Sequence, residues 1–261
     1  MEKTIQSLGE FIAYVQECKN KNYTGIATDE RSNKILYRGH ANKSWRCLPR
    51  LFRKQEWYEN EKIIINEIIR RCPNDFKELD AFGKLVKMQH YGAPTRLLDF
   101  TGNPLIALYF ACDDGTQKKE DGEVLLCKIP MFYESQVPLA LILKDLFPEY
   151  NNNFIQINEP NVKSILENST VMGIRAKLRN ERIKNQDGYF ALFSYSGKYK
   201  EVFNPIEGND CIKENIIIPS KCKKNILREL NDYGINRAYM YPELENQIKE
   251  ICKNFSDGMD D

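Results

Sequence analysis

Residues 88–111 restrict this chain more than any other stretch. Met88-Gln89-His90-Tyr91-Gly92-Ala93-Pro94 reads as a helix end and a tight turn. Residues 95–100 are extended and mostly apolar, and Asn103-Pro104 opens a helix over 105–112 with proline in its first turn. A strand so closely flanked by helices needs a sheet to join and a core beneath both helices. A length of 261 residues with 42% hydrophobic side chains supplies that core. With 29% charged residues and a mean hydropathy of -0.56, the composition argues against disorder, a fibre or a membrane protein.

Apolar spacing at Ile5, Leu8, Phe11, Ile12 and Val15 predicts a helix over 4–19 with Thr4 as its N-cap. A short strand is expected at 35–37 and an extended piece at 45–51. Helices are expected at 56–72 and 79–91. Farther on, 122–129, 189–195 and 216–218 read as strands, and 137–147, 221–233 and 244–255 as helices, with a long loop over 148–168. The expected architecture is α+β, a single domain over 1–255 with a small mixed or antiparallel sheet and flanking helices. The acidic end, 256–261, is expected to be a disordered tail.

Charge excludes little. Lys+Arg number 38 and Asp+Glu 37, so no whole-chain field advertises nucleic acid or anionic lipid. The eight cysteines are isolated from one another and only two histidines accompany them, so no metal site is expected. The first residues lack the apolar run of a signal peptide, and no apolar stretch has transmembrane length. A cytoplasmic location with reduced thiols and no membrane partner is the expectation.

Walker, GxGxxG, GxSxG and HExxH motifs are absent, and three other segments place polar side chains where the chain turns. In the first, Arg38 ends a strand, and Gly39 behind it would let a ligand approach the backbone. A guanidinium held there suits a phosphate or carboxylate. In the second, Gln89, His90, Arg96, Asp99 and Thr101 interrupt an apolar run. Strand alternation puts Arg96 and Phe100 on one face, and Leu97, Asp99 and Thr101 on the other. In the third, Arg182 and Gln186 come to a sheet edge before Gly188. The structural alternatives are an Arg96–Asp99 pair and Thr101 as the cap of the next helix.

Tyr37-Arg38-Gly39, Trp45-x-x-x-Pro49-x-Leu51-x-Arg53 and Gln89-His90-Tyr91-Gly92-x-Pro94-Thr95-Arg96-Leu97-Leu98-Asp99-x-Thr101 closely resemble the FRG domain family. So do Arg182-x-x-x-Gln186-x-Gly188-x-Phe190 and Tyr241-Pro242-Glu243-Leu244, and the likeness covers about 30–250. A remoter similarity is to ADP-ribosyltransferase folds. There an Arg or His on the first core strand holds NAD, a later strand ends in Ser or Thr, and a late Glu stabilises the sugar cation. Tyr37-Arg38-Gly39 looks like the first element, and Phe100-Thr101 with 107–111 like the second. The third departs: Gln186-Asp187-Gly188 has glycine where that Glu would stand, leaving the charge to Glu181, Asp187, Glu201 or Asp99.

This resemblance implies a fold like that of ADP-ribosyltransferases. It also implies an NAD- or nucleotide-processing enzyme, a transferase or NAD glycohydrolase, acting as a bacterial toxin or anti-phage defence effector. NAD is then the substrate, with a protein or nucleic-acid acceptor. The catalytic set it implies is Arg38, His90, Asp99, Thr101 and Gln186. The ligand-binding set is Arg38, Gly39, Gln89, Arg96, Thr101 and Arg182. Two other readings stay open. One is a nucleic-acid module using Arg46, Arg50, Arg53 and Lys54 with Trp45 and Trp57. The other is a non-catalytic binder of a phosphorylated small molecule.

Overall fold

The computed structural model describes residues 2–22, 35–113, 117–129, 131–133, 146, 171–175, 177, 180–193 and 211–256. In chain order the elements are β1 (Glu2–Thr4), α1 (Leu8–Asn22), β2 (Ile35–His40), a 3-10 turn (Arg50–Arg53), α2 (Gln55–Glu59) and α3 (Glu61–Arg71). A second 3-10 turn (Pro73–Asp75) leads to α4 (Ala81–His90), β3 (Leu97–Thr101), α5 (Pro104–Cys112), β4 (Gly122–Lys128), β5 (Met131–Tyr133) and β6 (Val171–Arg175). The remainder is α6 (Glu181–Asn185), β7 (Gly188–Phe193), β8 (Ile212–Ile218), α7 (Ser220–Asp232), α8 (Arg237–Met240) and α9 (Leu244–Ser256).

The fold is α+β, on one mixed sheet of eight strands in the order β1-β8-β4-β2-β3-β7-β6-β5. The β1–β8 and β5–β6 pairs are parallel and the rest antiparallel. Strand β2 follows β4 over its whole length, and β3 follows β7 likewise. Between β2 and β3, however, only Tyr37 and Thr101 stand in register. Two four-stranded halves therefore meet at a seam that opens toward Arg38 and Asp99.

Side-chain alternation sorts the core into layers. On one face, Ile35, Tyr37, Val124 and Leu126 pack with α1, α5 and α7, while Leu97, Phe190 and Leu192 of the other half pack with α3 and α4. The opposite face is continuous, joining Leu36, Leu98, Phe100, Leu125 and Ala191 to Leu51 and Phe52 of the first 3-10 turn. Helix α5 lies directly on the strands because two of its contacts are glycines. A Cβ at Gly39 would stand 1.9 Å from the Ala107 carbonyl oxygen, and one at Gly122 would stand 2.2 Å from that of Ala111.

Several elements depart from expectation for local reasons. Residues 2–4 form a strand, and α1 begins at Leu8 rather than behind Thr4. The Glu10 amide donates to Ser7 Oγ at 3.3 Å and the Gln6 amide to Glu10 Oε2 at 2.8 Å, a reciprocal cap. The extended piece expected at 45–51 instead leads into the 3-10 turn Arg50–Arg53. The helix expected over 56–72 divides at Asn60, whose side-chain amide donates to the Glu56 carbonyl at 2.8 Å. The helix expected at 137–147 and the loop at 148–168 lie outside the described residues, Leu146 excepted, as do 257–261 of the tail. No described helix is long and apolar enough to cross a membrane.

Candidate functional site

The seam opens into a cleft of about 250 Å³ on the face where the two helix layers part. Strand β2 contributes Arg38 and Gly39, β3 contributes Asp99 and Thr101, and the end of α4 contributes Gln89 and His90. Helix α6 and the turn after it add Arg182 and Gln186, and Phe110 of α5 closes one side. The polar residues picked out in three separate segments thus converge on one cavity, with one exception.

Arg38 bridges the seam. Its Nη1 donates to the Asp99 carbonyl oxygen at 2.5 Å and its Nε to His40 Nε2 at 2.9 Å. The Asp99 carboxylate accepts from Gln89 Nε2 at 2.7 Å, and Thr95 Oγ1 donates to Gln89 Oε1 at 2.5 Å, which fixes the amide orientation. Asp99 is an exposed residue of β3 and lines the cleft. Desolvation in the cleft raises its pKa, against the downward pull of Arg38, the Gln89 amide and Arg182. The site therefore sets a carboxylate near two guanidinium groups that favour its charged form.

Thr101 lines the cleft and holds Asn103, which is the N-cap of the next helix in place of Thr101. Thr101 Oγ1 donates to the Gln186 carbonyl at 2.7 Å and accepts from the Asn103 amide at 3.0 Å, while Asn103 Oδ1 caps the Leu105 amide at 2.9 Å. Gln186 in turn donates through Nε2 to the Met240 carbonyl at 2.9 Å, tying the wall of the cleft to α8. Between α6 and β7, Asp187 takes a left-handed φ of 42°.

At the rim, Arg182 lies 4.7 Å over the Tyr241 ring, and its Nη1 is 3.6 Å from Glu243 Oε1. His90 Nε2 is 4.0 Å from the same oxygen. Burial and then the Arg182 charge hold His90 below the ordinary imidazole value, outweighing Glu243. For Glu243, burial pushes upward, but a backbone hydrogen bond and Arg182 prevail and hold it low. The sequence reading missed Glu243, Tyr241 and Phe110 as site residues. Tyr241-Pro242-Glu243 stood out only as part of a family likeness, because nothing local says that a segment 55 or more residues beyond Gln186 folds back on it.

Two expectations need correcting. Arg96, expected to bind ligand, is buried outside the cleft and pairs with Glu61 rather than Asp99. Its Nε donates to Glu61 Oε1 at 2.8 Å, Nη2 donates to Oε2, and Nη1 donates to the Phe193 carbonyl at 3.2 Å. Gly39 borders the cleft, but its missing Cβ makes room for α5 rather than for a ligand. The basic-aromatic surface is also engaged internally. Arg53 donates to the Leu48 carbonyl at 3.1 and 3.2 Å, Arg50 to the Gly92 carbonyl at 2.7 Å, and Lys54 lies 4.6 Å over Trp57.

Of the other carboxylates considered, Glu181 is exposed and Glu201 lies outside the described residues. Asp187 turns toward Gly102, where a Cβ would meet its Oδ2 at 2.3 Å. Among the described residues, no group of three or more His, Cys, Asp or Glu side chains is placed to hold a metal ion. Comparison with curated proteins and with solved structures returns no match. The model of the FRG domain family matches residues 33–120, the stretch that builds β2, α4, β3 and α5 around the seam. Over those residues, about a third of its length, the chain is similar to the FRG domain family.

Proposed function

We propose that the seam cleft binds NAD or a closely related nucleotide and breaks its N-glycosidic bond. The observation that supports this best is the convergence of Arg38, Gln89, His90, Asp99, Arg182 and Gln186 on one cavity. In this reading Arg38 takes a phosphate, since its planar donors match phosphate oxygens. Asp99 faces the anomeric carbon. As the C1′–N bond breaks, the electron pair leaves with nicotinamide, and the ribose acquires oxocarbenium character that the facing carboxylate stabilises. Water, or a nucleophile on a protein or nucleic acid, then bonds to C1′ and gives up a proton. His90 and Gln186 flank the ribose. Thr101, its hydroxyl already engaged, shapes the floor.

A cytoplasmic effector that consumes NAD, as a toxin or in anti-phage defence, is the role that fits this chemistry. The remote likeness to ADP-ribosyltransferase folds belongs to the same proposal. A second reading, binding of a phosphorylated small molecule without turnover, is favoured by Gly188 standing where a catalytic Glu would be expected. Mass detection of nicotinamide after incubation with NAD separates the two. Turnover by the wild type and its loss in Asp99→Asn is the expected result. Binding with no nicotinamide released would leave the non-catalytic reading in its place.

A further inference from the structure

Behind Arg38 lies a buried polar series that the cleft itself does not use. β2 and β4 place His40 and Glu123 directly opposite one another, and both side chains are almost wholly enclosed, at 2% and 5% exposure. His40 Nδ1 is 2.7 Å from Glu123 Oε1, and Arg38 Nε donates to His40 Nε2 at 2.9 Å. A guanidinium has only donors, so Nε2 must carry the lone pair and the ring proton must sit on Nδ1, pointing at the carboxylate. Glu123 thereby sets the tautomer of His40, and His40 sets the direction of Arg38. The Nη1–Asp99 carbonyl bond fixes the guanidinium at its other end.

We propose that Glu123 and His40 are positioning residues that aim the Arg38 guanidinium at a phosphate group in the cleft. This rests on reading the cleft as a nucleotide site. Arginine is a flexible side chain, and ordering it only on binding weakens affinity by about tenfold. The relay orders it beforehand, between two halves of a sheet that are in register at one pair. Glu123 acts at a distance, through the imidazole.

Two measurements test this. In the nucleotide-free protein, nitrogen NMR of the His40 ring should show Nδ1 protonated and Nε2 bare, with the Arg38 Nε proton protected from water. Protonated Nε2, or an Arg38 proton exchanging as in exposed arginines, would overturn the relay. With NAD as the probe, the joint replacement His40→Leu with Glu123→Leu removes both members of the buried pair together, and it should raise Kd about tenfold. Glu123→Gln keeps an oxygen for the Nδ1 proton and should stay within about threefold. Equal losses in both variants, or none in the joint replacement, would overturn the positioning role. An intact relay in a wild type that does not bind NAD would overturn the nucleotide reading, and with it the role given to Arg38. A disordered relay with saturable NAD binding would overturn the relay alone.

Discussion

Asp99 has a raised pKa in the folded protein, because desolvation in the cleft outweighs Arg38, Gln89 and Arg182. A carboxyl raised in this way favours folding below its unfolded pKa, and that advantage is lost as pH rises through the folded value. Asp99→Asn keeps an acceptor for Gln89 and removes the charge. It should leave the melting temperature at pH 7 unchanged or higher while lowering nicotinamide release by about 100-fold or more. A depressed melting temperature would mark Asp99 as a structural anion. Gly39 makes the opposite case. Gly39→Ala forces a Cβ against the Ala107 carbonyl, and overpacking of this kind costs about 1–3 kcal/mol. Denaturant titration should show that loss, with NAD affinity unchanged in the folded fraction. Arg96 was legible as a polar residue in an apolar strand but not as a partner of Glu61, since pairing across 35 residues leaves no local trace. Arg96→Ala leaves Glu61 buried and unpaired and should cost about 3–5 kcal/mol.

At the scale of elements, the rim links α4, α6 and the segment after α8. His90, held below the ordinary imidazole value by burial and by Arg182, takes up a proton later in the folded protein than in the unfolded chain. Stability tied to its neutral form is therefore present above the ordinary imidazole pKa and declines as pH falls through it. Between about pH 7 and pH 5 the wild type should lose more melting temperature than His90→Gln; parallel curves would show that His90 does not titrate against Arg182. The helices and strands around this rim were largely legible, because hydrophobic spacing and the signals at Gly92, Pro94 and Asn103-Pro104 are local. Strand β6 carried no clear alternation. The break at Asn60 went unread because it depends on one side chain bonding its own helix. The start of α1 was misplaced although Ser7-Leu8-Gly9-Glu10 spells a capping box.

For the molecule as a whole, the decisive feature is a sheet in two halves joined by one registered pair, with a cleft where they part. An α+β architecture followed from the order of the elements. The seam did not, because it depends on how α5, seated on Gly39 and Gly122, and α4 divide one face of the sheet between its two halves, which no local pattern specifies. Nor did the closing contribution of residues 237–243, which the bond from Gln186 to the Met240 carbonyl brings to the site. Polar groups in apolar runs are costly unless they meet each other or a ligand, and Arg38, Asp99 and Gln186 meet at the cleft. Calorimetric titration of NAD into the wild type and Arg38→Ala tests the central claim most directly. One saturable site in the wild type, weakened about tenfold or more in Arg38→Ala while the fold is retained, is the predicted result. Equal affinity in the two proteins, or no binding by either, would contradict it.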